Sequence, residues 1–253
     1  MKILLSVRSS VVKNLLLFFS LLTLSACSSK QLVKTADELR AAYRNAIADA
    51  EVAEPNEISR DLVAIVSSNH HLVWNEESQK NRILAVTWTS WDGYDDKIGQ
   101  EMELAREIWV TVVPELKNFC ESTNFRIVEK QLRLEQLLGL PPENGKTKFV
   151  ELWVYPGDLF RPSPDPEISD HEAELIYPVS ERFLKVSEAH KNWFNDLKNK
   201  SYSENGYPWT RLGYTYDWGN PRGEIGLSEF VIRTGAVVAV HAVTPTEAYC
   251  KGK

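Results

Sequence analysis

Across residues 35–50 the apolar side chains Leu39, Ala42, Tyr43, Ala46, Ile47 and Ala50 recur at every third or fourth position, which gathers them on one face of an α-helix. Thr35 followed by Glu38 supplies a capping box at its start. Beyond Pro55 the rhythm changes. Residues 62–66, 72–74 and 83–91 mix branched, aromatic and threonine side chains and predict strands, with Asp92-Gly93-Tyr94 as a turn. Residues 108–113 predict another strand, and Pro114 suits the first position of a short helix through Phe119 and Cys120. A leucine-rich helix over 129–138 ends at Gly139 with Pro141 and Pro142 behind it, and Asn144-Gly145 turns the chain into a strand over 149–155.

Residues 156–178 contain Pro156, Pro162, Pro164, Pro166 and Pro178. Each lacks a backbone donor, so this stretch reads as a loop. Ser180 is positioned to cap a helix whose Phe183, Val186, His190, Trp193, Phe194 and Leu197 share one stripe. Towards the end, strands over 227–233 and 236–243 flank Thr234-Gly235 and predict a hairpin that pairs Ile232 with Val237, Phe230 with Ala239 and Ser228 with His241. Strands and helices mixed without a βαβ rhythm or an internal repeat predict an α+β domain, its largely antiparallel sheet packed by several helices.

Composition adds a boundary and an address. The chain has 253 residues, 43% hydrophobic and 25% charged, which excludes wholesale disorder and a multi-span membrane bundle. Lys2, Arg8 and Lys13 precede an apolar run over 15–24, the order of a secretory signal. That run is short of the roughly 20 helical residues needed to span a bilayer. Leu24-Ser25-Ala26-Cys27 resembles the bacterial lipobox. The resemblance implies cleavage after Ala26 and a diacylglyceryl group on the Cys27 sulfur, each buried methylene of the acyl chains contributing about 0.8 kcal/mol to anchoring. It divides the chain into a signal peptide over 1–26, a polar tether over 27–34 and a single α+β domain over 35–253. The domain is then a lipoprotein of the cell envelope, held to the membrane by its N-terminal acyl chains and facing the periplasm or the exterior. Ser28 stands where lipoproteins retained in the inner membrane often carry Asp, which tilts the resemblance toward the outer membrane.

Removing residues 1–26 takes away Lys2, Arg8 and Lys13 and leaves 26 basic side chains against 35 acidic ones. An acidic body without basic clusters argues against a nucleic-acid partner and against electrostatic docking on anionic lipid. With Cys27 acylated, Cys120 and Cys250 are an even pair in a compartment that permits disulfides. A bond between them is expected, and two reduced, buried thiols are the alternative.

Residues 207–219 hold five aromatic rings beside Arg211 and Asp217. Flat rings flanked by charged groups suit sugar faces with hydroxyl rims, which makes Trp209, Arg211, Tyr214, Tyr216, Asp217 and Trp218 the candidate ligand-binding set. The same rings are equally suited to filling a core. Asp165, Glu167, Asp170, His171, Glu172 and Glu174 collect oxygen ligands without EF-hand spacing and read as a solvated loop. Asp92, Asp95, Asp96, Asp165 and Glu167 are the carboxylates from which a glycosidase pair would be drawn. His70, His71, His171, His190 and His241 form no zinc motif, and His190 reads as a core histidine on its apolar stripe. Ser228 with His241 lacks the exposed elbow of a nucleophile. No glycine-rich phosphate loop is present, so no cofactor, metal site or catalytic residue is expected.

Residues 159–170 and 207–219 resemble segments of an uncharacterised secreted family of the cyanobacterial type, and that resemblance carries no function with it. The reading is a lipid-anchored envelope protein that binds a ligand or protein partner without catalysis. A carbohydrate-active enzyme or glycan-binding protein working through 207–219 is the alternative, and a structural or assembly lipoprotein is not separable from the first.

Overall fold

The computed structural model describes residues 34–75, 81–123, 125, 127–180, 182 and 184–250, with 127–129 described by backbone alone. The expected signal peptide over 1–26, the expected tether up to Val33 with Cys27, and Phe183 lie outside the described residues.

Helix α1 (Ala36–Ala50) opens with the capping box: Glu38 N–H donates to Thr35 Oγ1 at 3.2 Å, and Thr35 N–H donates to the Glu38 carboxylate at 2.6 Å. Those bonds hold Glu38 below the ordinary carboxylate range. Tyr43, Ala46, Ile47 and Ala50 bury the apolar face. Helix α2 (Val113–Ser122) carries Pro114 in its first turn, where a missing N–H costs nothing. Helix α3 (Ile127–Leu137) stops where Gly139 takes φ 62°. Gly139 N–H bonds Gln136 O and Leu140 N–H bonds Glu135 O, the two closing bonds of a Schellman end. Helix α4 (Glu188–Ser201) and the short α5 (Thr246–Tyr249) complete the helices of the described residues.

The strands are β1 (Trp74–Asn75), β2 (Arg82–Thr89), β3 (Glu101–Glu103), β4 (Ile108–Val112), β5 (Lys148–Val154), β6 (Leu159–Phe160), β7 (Tyr214–Tyr216), β8 (Ile225–Ser228), β9 (Phe230–Ile232) and β10 (Val237–Pro245). Eight of them form one sheet in the order β3-β10-β5-β2-β4-β9-β6, with β1 on β2, while β7 and β8 pair separately. All of these pairings are antiparallel. The fold is therefore α+β, with helices packed on a mostly antiparallel sheet. No helix among the described residues is long and apolar enough to cross a membrane.

Alternation along the strands gives the sheet two apolar faces. One bears Ile83, Ala85, Val110, Leu152, Phe230 and Val238 in a single core cluster. The other bears Leu84, Val86, Trp88 and Phe149 with Leu116 of α2 and Leu134 of α3. Trp88 and Phe149 face each other across β2 and β5 with rings stacked at 5.3 Å. Cys120 of α2 and Cys250 after α5 lie at disulfide distance on this second face, with sulfurs 2.01 Å and α-carbons 4.9 Å apart.

The predicted C-terminal hairpin does not form. β9 pairs with β4 and β6, and β10 pairs with β3 and β5, so none of the pairs Ile232–Val237, Phe230–Ala239 and Ser228–His241 exists. The turn at Thr234-Gly235 is real, with Gly235 at φ 81°, but Gly235 N–H bonds Leu104 O and Leu104 N–H bonds Ala236 O. Leu104 thus takes up the backbone groups that would have started the ladder. The topology also imposes a shape. In a flat sheet β9 and β10 would be four strand spacings apart, about 19 Å. The five steps from Ile232 to Val237 reach at most about 18 Å fully extended. The sheet must curl, and it curls around the first core cluster.

Residues 62–66 are extended but not a strand, a second departure from expectation. Leu62 N–H bonds His171 O, Ile65 N–H bonds Ile168 O, and Val63 N–H donates to Ser228 Oγ at 2.9 Å. These partners are loop carbonyls and a side chain, so no ladder propagates although Leu62, Ala64 and Ile65 are buried. Ser180 does not cap α4 either: Ser187 does, its Oγ accepting from His190 N–H at 3.2 Å, while Ser180 Oγ accepts from Arg182 N–H.

Candidate functional site

The register of β9, β4, β2 and β5 lays side chains on the second face in rows. Val86 pairs with Thr111 and Glu151, and Trp88 pairs with Phe149. Trp109 pairs with Val231 and Val110 with Phe230, so one step further Glu229 stands opposite Thr111. Glu229, Thr111 and Val86 thus share one row, and Val231, Trp109 and Trp88 the next. Over these rows α2 and α3 leave the sheet uncovered on the side toward α4, and a cleft of about 530 Å³ opens there. That is the size of a small-molecule site. Leu116 and Leu140 form one wall, Leu197, Pro208 and Trp209 the other. Trp91 and Tyr207, 45% and 53% exposed, stand at its rim.

Indole rings dominate the cleft. Trp109 lies 6.3 Å from Trp209, edge to face, and 6.4 Å from Trp193, stacked. Trp88 Nε1 donates to Thr246 Oγ1, Trp209 Nε1 to Pro162 O, and Trp193 Nε1 to the Glu107 carboxylate at 2.7 Å. The Trp109 N–H has no hydrogen-bond partner among the described residues.

Charge is placed at opposite ends. Glu229 is half-buried where it lines the cleft, and its side chain makes no hydrogen bond or ion pair among the described residues. Burial alone pushes its titration up to about 8. Without charged neighbours to offset that burial, it is mostly protonated at neutral pH. At the other end Lys146 Nζ donates to Trp88 O at 2.9 Å, and its titration is lowered first by burial and then by the nearby Arg106 guanidinium. Arg106 is exposed and has no ion-pair partner among the described residues. Two cations and one carboxyl, none in an ion pair among the described residues, thus line the same aromatic cleft.

The candidate set in 207–219 divides. Trp209 and Tyr216 line the cleft, whereas Arg211, Tyr214, Asp217 and Trp218 do not. Arg211, at φ 61°, donates to Glu51 O at 2.7 Å, and the buried Tyr214 hydroxyl donates to Glu57 O at 2.8 Å. Asp217, 3% exposed, accepts both Arg133 nitrogens at 2.8 and 2.6 Å. Trp218 Nε1 donates to Leu140 O, and the Tyr216 hydroxyl donates to Asp49 at 2.7 Å. These four, and the Tyr216 hydroxyl, fasten the block to α1, α3 and the chain between them. By position, then, two of the candidate rings border the cleft and the others are packed into the structure.

Arg161 sits inside the acidic loop. Fully buried, it donates Nε to Glu167 O and Nη2 to Asp170 O, with the Asp170 carboxylate 3.7 Å away. No three His, Cys, Asp or Glu side chains gather at metal-ligand spacing among the described residues. Asp92 and Asp95 hold Lys148, each at 2.6 Å, and Asp96 holds Lys97, so these carboxylates stand away from the cleft. Ser228 Oγ donates to the buried Glu115 carboxylate at 3.0 Å, and His241 lies against Trp153 and Glu151. Ser228 and His241 form no dyad. His190 is a core histidine as read: its ring N–H bonds Ser163 O at 2.8 Å, its ring stacks on Trp193, and burial lowers its titration.

Sequence reasoning missed Glu229, Arg106, Lys146, Trp88 and Trp109. Glu229 carried one usable signal, a lone charge directly before the wholly buried apolar run 230–232. No protein-family profile, curated protein or solved structure matches the chain.

Proposed function

We propose that the chain is a lipid-anchored binding protein of the bacterial cell envelope, whose aromatic cleft takes up a small organic ligand without turning it over. The lipobox order at Leu24-Ser25-Ala26-Cys27 supports the anchor. The observation that carries the binding reading is the cleft itself, walled by indoles and holding an unpartnered, half-buried carboxyl. A group left in that state costs stability and is retained where something outside the chain pairs with it.

Two features weigh against catalysis. Glycoside hydrolysis needs a second carboxylate close by, and one that close would add its charge to the titration of Glu229, which burial alone shifts. Ser228, the nearest hydroxyl in sequence, is spent on Glu115 and Val63 N–H. Glycan binding keeps one supporting observation, the exposed rings of Trp91 and Tyr207 at the rim.

Two measurements test the reading. N-phenyl-1-naphthylamine, a neutral aromatic probe, brightens when it enters a dry site; the protein should enhance its emission, and both Trp109→Ala and the cleft-filling Leu197→Trp should abolish the effect. Triacetylchitotriose displacing the probe would favour the glycan reading. Equal enhancement by the filled variant would refute the cleft. In cell fractionation the parent should follow the membrane and Cys27→Ser should not; identical fractionation would refute the anchor.

A further inference from the structure

Building on the binding reading above, we infer that the cleft takes a short peptide with free termini, its ammonium group at Glu229, its carboxylate at Arg106 and Lys146, and an apolar side chain against the indoles between them.

Charge complementarity carries the argument. Arg106 and Lys146 line the same cleft although each repels the other, and neither forms an ion pair with a described carboxylate. Asp92 and Asp95, the nearest acidic side chains in sequence to Trp91, are spent on Lys148. Lys146 uses one of its three donors on Trp88 O and keeps two. An anion bridging Lys146 and Arg106 turns a repulsive pair into a clamp. At the other end, the half-buried Glu229 carboxyl shares its row with Thr111, whose hydroxyl donates to Glu115 at 3.3 Å and is not free to help. An ammonium group supplies three donors and the opposite charge. Glu107, the remaining carboxylate on the wall, is held by Trp193 Nε1. The raised titration of Glu229 agrees with this placement, because an uncompensated carboxyl titrates high until a cation arrives.

Sheet geometry sets the length. From β9 across β4 to β2 is two strand spacings, about 10 Å, and from Val86 to Trp88 is about 7 Å, a diagonal of about 12 Å between backbone positions. The Glu229 side chain reaches inward and shortens this by a few ångströms. Extended peptide spans about 3.3 Å per residue, so three residues place their termini about 10 Å apart. A single amino acid cannot bridge the poles, and the cleft volume holds a tripeptide with one large side chain.

The experiment is calorimetric titration of the full chain in detergent micelles with the tripeptide Ala-Phe-Ala, its N-acetyl form and its C-terminal amide. Free Ala-Phe-Ala should bind, and each blocked form should bind about tenfold or more weakly, the equivalent of one lost charge pair. Glu229→Gln should weaken the free peptide by a similar factor and leave the N-acetyl form unaffected. Arg106→Gln should discriminate in the same way between the free peptide and the amide. Equal affinity for either blocked form overturns the assignment. If no tripeptide binds while N-phenyl-1-naphthylamine still does, the peptide falls and the binding cleft stands; if neither binds, both fall.

Discussion

Replacing Glu229 by glutamine should make the domain more stable, and by an amount that grows with pH. The carboxyl titrates near 8 in the folded chain against an ordinary value of 4.5. Between those two values the folded state holds a proton that the unfolded state has lost. Stability therefore falls as pH rises, by about 1.4 kcal/mol per unit for this group, and levels off above the folded value. Over the whole interval the cost is about 5 kcal/mol, a sizeable part of the 5–15 kcal/mol typical of a domain. Glutamine is neutral throughout and keeps the shape. Urea unfolding of both proteins from about pH 5 to about pH 8 reads the effect: near-equal midpoints at the acid end and a widening advantage for Glu229→Gln toward the alkaline end. Glu174, raised to about 7 by burial and then by Asp165, contributes a slope of the same sign in both proteins and cancels in the comparison. Parallel curves would show that Glu229 meets water or a partner, and the account of the cleft would fail with it.

Three further outcomes follow from the packing. Asp217→Ala leaves the Arg133 guanidinium without its bidentate partner beside a nearly buried site, and should cost about 3–5 kcal/mol in chemical denaturation. Gly213 sits at φ 74°, and a Cβ there would come within 2.6 Å of Arg161 Cδ; Gly213→Ala should lower stability by about 1–3 kcal/mol, whereas Gly157→Ala, with open space around it, should change it by less. Separating Cys120 from Cys250 by Cys120→Ser releases a loop of 130 residues; loop closure of that length contributes about 5 kcal/mol, so the thermal midpoint should drop sharply and reductant should have no further effect on the variant.

Local signals were legible wherever a single element decides them. The capping box at Thr35 and Glu38, Pro114 in the first turn of α2 and the stop at Gly139 are each set by a few neighbouring residues, and each stands as read. The hairpin failed for the converse reason. Phe230, Val231 and Ile232 are each 0% exposed, so they need a partner strand on both sides, and those partners come from β4 and β6. Adjacency in sequence cannot reveal such a competition. The cleft was illegible for a similar cause, because Trp88, Trp109, Lys146 and Glu229 converge only through sheet register. Aromatic density over 207–219 marked a stretch that borders the cleft, but it could not tell Trp209, which lines it, from Tyr214, which ties down Glu57 O.

The placement of β10 sets an order on folding. Among the described residues it is the last strand in chain order, yet it lies between β3 and β5, two strands made much earlier. Until residues near the carboxyl end emerge, β3 has no partner and the curled core lacks Val238 and Val240. The sheet can therefore close only after β10 has been made, however early its neighbours are ready.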